Sequence, residues 1–420
     1  MKRGFYTIMT AQFFSSLADN ALLIAAIALL AQMQSPGWMT PLLKLFFVLS
    51  YVLLAAFVGA FADALPKGRV MFITNMVKIV GCSLMYFNVH PLLAYAIVGF
   101  GAAAYSPAKY GILTELLPAE KLVAANGWIE GLTIVSIILG TVLGGALINP
   151  HVSTALLAFD FPIIDTGIDT PTEAALAVIM GLYLISTFVS RKIPETGAVY
   201  PRQEHSVLRL ISDFANCYTV LWHDRLGQIS LAVTTLFWGA AAALQFIVLK
   251  WAEQSLHMPL DKAAILQGVT AIGVAGGAIA AARFVPLQKS LSVLPMGVAM
   301  GLIVMTMTLV TDVRYAYPLL IIIGALSGFY LVPMNALLQH RGHVLLSAGH
   351  SIAVQNFNEN LSVLTMLMLY ALMIKLNVDV NYVILCFGLF VAAVMVVIIR
   401  KHAVNQREHD SLALIGEQKH

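Results

Sequence analysis

The sequence predicts an all-α membrane protein with twelve transmembrane helices in two six-helix bundles. Composition is the first observation behind this. The chain has 420 residues, 60% of them hydrophobic and only 11% charged, whereas a soluble domain carries about 25% charged residues. No single aqueous core of this size hides so much apolar surface, so lipid is the solvent for most of the chain. The second observation is periodic: apolar blocks recur at close to the ~20 residues a bilayer-spanning helix needs. The third is that the longest polar stretch, 191–226, lies midway along the chain.

The first six blocks centre on 5–33, 41–63, 69–89, 91–114, 122–148 and 172–190. The second six centre on 227–251, 262–283, 290–311, 315–338, 346–375 and 379–400. Turn-forming residues separate them, among them Ser35-Pro36-Gly37, Pro66-Lys67-Gly68, Asn88 to Pro91 and Leu117-Pro118. Met1-Lys2-Arg3 ahead of an apolar run has the outline of a signal peptide. The run continues to Gln32, longer than a cleaved apolar region, and reads as the first membrane helix. The expected division is a bundle over 1–190, a linker over 191–226 with a surface helix at 205–222, a second bundle over 227–400 and a tail over 401–420. A small regulatory element is the other reading of 191–226.

Orientation follows from Lys and Arg, which collect on the cytoplasmic side of membranes. With both termini cytoplasmic, that side holds Lys2, Arg3, Lys67, Arg69, Lys121, Arg191, Lys192, Arg202, Arg209, Arg225, Arg283, Lys289, Arg341, Arg400, Lys401, Arg407 and Lys419. The opposite loops hold Lys262 and Arg314, together with Asp160, Asp165, Asp169, Glu173 and Asp312. Trp38 and Tyr315, near span ends, read as interfacial anchors. Net charge is +3 without a long charged run, so no nucleic-acid partner is expected. Cys82, Cys217 and Cys386 show neither disulfide nor metal spacing.

A charged side chain at mid-span costs about 2.5–3.5 kcal/mol on insertion scales, so such residues must turn toward partners or water. Gln12, Ser16 and Asp19 share one face of the first helix, with Asn20 beside them. Asp19 either binds a cationic group or forms a structural ion pair. Tyr105, Ser106, Pro107, Lys109 and Tyr110 lie on the fourth helix. There Lys109 either meets an anionic phosphate as a point charge or pairs with Glu130 or Asp19. Asn126 and Glu130 sit four apart on the fifth helix, one turn before Thr133. The eleventh carries Gln355, Asn356, Asn358, Glu359 and Asn360, five groups that need many partners. Lys78 lies mid-span and is expected to pair inward; Lys44 is near a helix end and can snorkel. Gln245 on the seventh helix joins the candidates, with Lys250 at its boundary.

A weak internal repeat supports two related halves. Residues 101–107 lead through Pro107 to Lys109 and a turn near Pro118; about 226 residues later, residues 324–333 lead through Pro333 to Asn335 and a turn near Arg341. The sequence has no phosphate-binding glycine loop, no metal-spaced Cys/His set and no nucleophile elbow. His205, His340 and His343 lack the aspartate of an acyltransferase motif. The expectation is a secondary carrier or facilitator without a cofactor, not an enzyme.

The stretch from Gly59 to Arg69 resembles the loop between helices two and three of the major facilitator superfamily, with one residue more than usual between Asp63 and Gly68. In that family the loop belongs to the conformational switch, which implicates Gly59, Asp63, Gly68 and Arg69. Asp63 would pair with a basic residue. Further stretches narrow the likeness: ADNALL at 18–23, GAAAYSPAKYGIL at 101–113, ANG at 125–127, VPMNALLQ at 332–339 and AVQNFNEN at 353–360. Together they resemble the bacterial lysophospholipid transporters of that superfamily over nearly the whole chain.

The resemblance implies the major facilitator fold, an inner-membrane location and a lysophospholipid substrate. The substrate would be 2-acyl-glycerophosphoethanolamine or its glycerol analogue, moved from the periplasmic to the cytoplasmic leaflet. A cytoplasmic acyltransferase or acyl-carrier-protein synthetase is the implied functional partner, membrane lipid the surroundings, and a monomer the expected state. Such a headgroup would meet Asp19 and Glu130 through its ammonium, Lys109 through its phosphate, and Asn126, Gln355 and Asn356 through its hydroxyls. Asn20, Tyr105, Gln245 and Glu359 complete the expected lining. The family often carries an arginine where Gln245 stands; this chain lacks that charge, and Lys250 is the candidate substitute. The competing reading is a drug or metabolite exporter coupled to a proton or sodium gradient, with Asp19 and Glu130 as coupling groups.

Overall fold

The computed structural model describes residues 3–35, 39–158, 168, 170–198, 206–258, 260–408 and 415. Lys2, Pro36, Gly37, Trp38, Asp160, Asp165, Asp169, Arg202 and Lys419, to which the sequence assigned turns, anchors or sidedness, lie outside the described residues, as does His205.

The described residues are helical nearly throughout. In chain order the helices are α1 (Arg3–Gln32), α2 (Met39–Leu53), α3 (Ala55–Ala64), α4 (Lys67–Tyr86), α5 (Pro91–Leu116), α6 (Leu122–Ile148), α7 (Pro150–Leu157) and α8 (Pro171–Ser190). After them come α9 (Val207–His223), α10 (Gly227–Gln254), α11 (Leu260–Phe284), α12 (Leu294–Met305), α13 (Val313–Leu345), α14 (Ala348–Lys375) and α15 (Val380–Glu408). Eleven stretches are long and apolar enough to cross a membrane, and the bent pair α2–α3 raises the number to twelve. A helix satisfies its own backbone hydrogen bonds, which lipid cannot do for it. Phe188, Met368, Leu389 and Val397 are exposed on these helices, as side chains facing hydrocarbon should be.

The structure departs from the expected spans in several places, one of them α13, which continues as helix through the turn expected near Arg341 to Leu345. The block 41–63 is broken at Leu54, where its halves meet at 66°. No proline or glycine stands at the break, so nothing in the local sequence announced it. The block 290–311 carries 3₁₀ turns at both ends, Leu287–Val293 and Thr306–Leu309. α7 is an additional short helix, started by Pro150 in its first turn and the Asn149 side chain, which accepts from the His151 N–H at 3.0 Å.

Other boundaries follow from capping chemistry. α8 begins with a capping box: Thr170 Oγ1 accepts from Glu173 N at 3.2 Å and Glu173 Oε2 accepts from Thr170 N at 2.8 Å. Asp312 and Ser347 accept from backbone N–H groups at the starts of α13 and α14. α1, α4 and α14 end alike, on Gln34, Asn88 and Asn377 at φ 52°, 61° and 55°. In each case the following N–H reaches back to Leu30, Leu84 or Met373, closing off carbonyls the helix leaves unpaired.

By internal packing the chain forms two compact units, Met1–Ile112 with Leu132–Ile211 and Leu113–Gly131 with Ser212–His420. In the first, α1 and α4 both lie against α8 around Ala18, Leu22, Cys82, Ile179 and Tyr183. Gly140 and Gly144 let α6 approach the α1 backbone at Leu17 and Ala21. In the second, α11 and α13 run in direct backbone contact. A Cβ on Gly273, Gly277, Gly324 or Gly328 would collide with a facing carbonyl oxygen of Ile321, Ala325, Thr270 or Val274. Small residues of this kind are what draws helices together in lipid, where apolar burial drives little.

The expected linker helix is α9. It is amphipathic: Phe214, Cys217, Tyr218, Leu221 and Trp222 form one face, packed with Leu231, Leu338, Leu346 and Val354. Phe214 and Tyr218, one turn apart, place their rings 5.5 and 6.3 Å from that of Phe357 on α14.

Candidate functional site

Two clusters of buried polar side chains stand out, one in each unit. The first is built by α1, α4, α5 and α8. Asp19 on α1 receives Lys78 Nζ of α4 on Oδ2 at 2.7 Å and the Tyr183 hydroxyl of α8 on Oδ1 at 2.7 Å. Lys78 also donates to Ser15 Oγ at 3.0 Å and lies 4.8 Å from the centre of the Tyr105 ring of α5. Such a cation–ring contact is attractive, the more so away from water. Below it Ser15 donates to Asn75 Oδ1 at 2.8 Å, Asn75 Nδ2 donates to Ser186 Oγ at 2.9 Å, and Ser186 donates to the Ala11 carbonyl at 2.7 Å. Donors and acceptors are matched along the whole chain of bonds, as burial in a medium without water requires. Lys78 and Tyr183 are buried, and Asp19 keeps a partly exposed edge.

The second cluster joins the start of α6 to α13 and α14. Asn126 and Gln339 exchange two hydrogen bonds, at 2.9 and 2.8 Å. One turn further, Asn335 Nδ2 donates to Glu130 Oε1 at 3.3 Å, while Asn335 Oδ1 accepts from Gln355 Nε2 at 3.0 Å. Gln355 Nε2 also donates to Glu359 Oε1 at 2.7 Å. Asn126, Glu130, Asn335, Gln339, Gln355, Asn356 and Glu359 are all buried. Gln355 Oε1 is buried with no hydrogen-bond partner. Amides bridge the carboxylates here, each offering both donor and acceptor.

The remaining candidates fall as follows. Gln12 parts from Asp19, donating to Thr133 Oγ1 at 2.6 Å, and Asn20 folds back onto the Ser16 carbonyl at 2.8 Å. Lys109 Nζ lies 4.2 Å from the centre of the Tyr110 ring; the ion pair on Asp19 is made by Lys78 instead. Gln245 is paired with Gln267 of α11 through two hydrogen bonds, at 3.0 and 3.1 Å. Lys250 engages Glu253 at 3.3 Å. In the stretch from Gly59 to Arg69, Asp63 meets Lys67 at 2.7 Å, both buried, and Lys67 also donates to the Ala62 carbonyl at 2.7 Å. Gly59 is buried, Gly68 lies against Ile193, and Arg69 is exposed in the first turn of α4.

Sequence reasoning left out Ser15, Asn75, Tyr183, Asn335, Gln339 and Gln267 as site residues. A signal existed for three of them: Asn75 lies three residues from Lys78, and Asn335 and Gln339 are four apart, so each pair marks a polar helix face. Tyr183 gave none, being an aromatic set among apolar residues of α8. A second buried ion pair was also missed. Arg341 reaches Asp224 at 2.7 Å, and Asp224 caps α10 by accepting from Gly227 N at 2.7 Å.

Residues 8–363 match the Major Facilitator Superfamily. The chain belongs to the major facilitator superfamily. As a facilitator it is a multi-pass membrane protein, and its near relatives are transporters. It is 42% identical over 382 residues to a protein of Yersinia enterocolitica called lysophospholipid transporter LplT, covering 90% of this chain and 89% of that protein. A Yersinia pestis protein of the same name matches to the same extent. This identity puts the facilitator in the family of bacterial lysophospholipid transporters. Among solved structures, the transporter FucP in its outward conformation superposes with a TM-score of 0.71 at 14% identity, over 95% of this chain and 98% of that one. A bacterial homologue of the iron transporter ferroportin gives 0.70 at 13% identity, over 96% and 100%. The human organic anion transporter MFSD10 gives 0.64 at 13%, over 99% and 100%. The solved structures establish the fold of this facilitator and nothing finer.

Proposed function

We propose that this facilitator moves lysophospholipids, chiefly 2-acyl-glycerophosphoethanolamine and its glycerol analogue, from the periplasmic to the cytoplasmic leaflet of a bacterial inner membrane. There a cytoplasmic acyltransferase restores the missing chain. The observation that carries the reading is the 42% identity, over nine-tenths of both chains, to proteins bearing the lysophospholipid transporter name. Both termini lie on the cytoplasmic side in this reading, in keeping with the Lys and Arg bias of the loops, and the protein acts as a monomer. Residues 1–190 and 227–400 serve as the two bundles, 191–226 as their linker and 401–420 as a tail.

The chemistry of the two clusters agrees with an amphipathic substrate. A lysophospholipid headgroup carries a phosphate, a hydroxyl and often an ammonium. In this assignment Asp19 and Glu130 meet the ammonium, Lys109 the phosphate, and Asn126, Gln355 and Asn356 the hydroxyls. Gln355 offers an acceptor oxygen that no protein donor uses. Asn20, Tyr105, Gln245 and Glu359 complete the lining, and Gly59, Asp63, Gly68 and Arg69 form the switch. The test is reconstitution in liposomes with labelled lysophosphatidylethanolamine added to one leaflet. The protein should carry the label across well above the protein-free background, and Lys109→Met should slow it. A protein that leaves the label in place, yet moves a drug or metabolite along an ion gradient, would instead be an exporter.

A further inference from the structure

Asp19 and Lys78 are unequally exposed. The Asp19 side chain keeps 17% of its surface, whereas that of Lys78 keeps 2%. The ammonium is therefore sealed, and what the pair exposes belongs to the Asp19 side chain. Lys78 is held in place independently of Asp19: Ser15 Oγ accepts from it at 3.0 Å and the Tyr105 ring lies 4.8 Å away. The Tyr183 hydroxyl fixes the other carboxylate oxygen at 2.7 Å. Each oxygen of an ionised carboxylate has room for about two hydrogen bonds. With one bond to each oxygen, the carboxylate still has room for a further donor, although its charge is already offset by Lys78.

That arrangement bears on headgroup choice. A bare carboxylate at membrane depth demands a cation, because an uncompensated charge there is costly. A carboxylate already paired does not demand one, and accepts a hydroxyl nearly as readily as an ammonium. We propose that Lys78 is a specificity-determining residue, one that neutralises Asp19 so that this subsite takes glycerol-type headgroups as well as ethanolamine. Lys78 acts through Asp19 and does not itself touch the substrate. The inference rests on the lysophospholipid reading and deepens it.

Removing either charge should bias the subsite in opposite directions. Lys78→Met leaves Asp19 negative and favours the headgroup bearing an ammonium. Asp19→Asn leaves Lys78 positive and favours lysophosphatidylglycerol, whose net charge is negative. The experiment measures initial translocation rates of lysophosphatidylethanolamine and lysophosphatidylglycerol in proteoliposomes, for the wild type, both single variants and Asp19→Asn/Lys78→Met. The wild type should move both lipids at comparable rates. The ethanolamine-to-glycerol ratio should rise about tenfold in Lys78→Met, fall by a similar factor in Asp19→Asn, and return toward the wild-type value in the double variant.

A purely structural pair would lower both rates together and leave the ratio flat, which overturns the inference. So does a wild type restricted to the ethanolamine lipid. If Lys78→Met does not accumulate, the ratio in Asp19→Asn decides. A wild type that moves neither lipid ends the underlying reading as well, so the two failures are told apart by the wild-type arm.

Discussion

Asp19 and Gln339 are both polar side chains set deep in apolar helices, yet their partners differ in kind. Asp19 is answered by a full opposite charge and a hydroxyl, Lys78 and Tyr183. Gln339 is answered by its chemical equal, Asn126, in a reciprocal pair of neutral bonds. An ion pair in a medium without water is expensive to open, because parting it strands two charges. Parting two amides forfeits only hydrogen bonds, which other amides or hydroxyls can replace. The Asp19–Lys78 pair is therefore a fixed electrostatic setting, and the Asn126–Gln339 pair an exchangeable one.

Four substitutions break or sharpen this contrast. The largest effect is expected from Asp19→Ala, which leaves the sealed Lys78 ammonium without its partner and should destabilise by about 3–5 kcal/mol. Thermal unfolding in detergent measures it, and adding Lys78→Met to the same chain should recover much of the loss. Equal melting of Asp19→Ala and wild type would mean the pair is not a structural charge setting at all. Tyr183→Phe removes one hydrogen bond to a charge and should cost about 1.5–3 kcal/mol, read in the same assay. Gln339→Ala strips the Asn126 amide of a donor and an acceptor while leaving no charge behind, for about 1–3 kcal/mol. In a double-mutant cycle with Asn126→Ala the two losses should be strongly non-additive; simple additivity would show that the amides act separately. The smallest effect is expected from Lys250→Ala, whose pair with Glu253 is largely exposed. It should stay within about 1 kcal/mol, and a larger drop would give Lys250 a role its geometry does not suggest.

The fold was largely legible in the sequence because a bilayer imposes one length on every crossing, and apolar blocks of that length are countable. The bend at Leu54 was not legible, since Ser50 to Ala55 contains neither proline nor glycine. Within the candidate site, the polar stripe of α14 could be read directly, as could the need for Asp63 to find a cation. It finds Lys67, one turn on. Who pairs with whom across helices could not be read. Asp19 and Lys78 stand 59 residues apart, and one sequence holds no record of which α4 residue faces α1. Lys109 and Lys78 were equally eligible on charge alone; helix rotation decided for Lys78. The Gln245–Gln267 pair was hidden for the same reason: one sequence does not record which face of α11 meets α10.

The ring of Phe357 has a consequence of its own. It sits two residues from the bridging amide of Gln355, and Phe214 and Tyr218 pack edge-on against it. Trp222, one turn past Tyr218, belongs to the same apolar patch, and its indole lies 6.2 Å from the Tyr218 ring. A rotation of α14 that rearranges Gln355 and Glu359 must therefore drag or release an edge-packed aromatic cluster ending in a natural fluorophore. The molecule comes with its own optical gauge, and the emission of Trp222 would register such a rotation without an attached label.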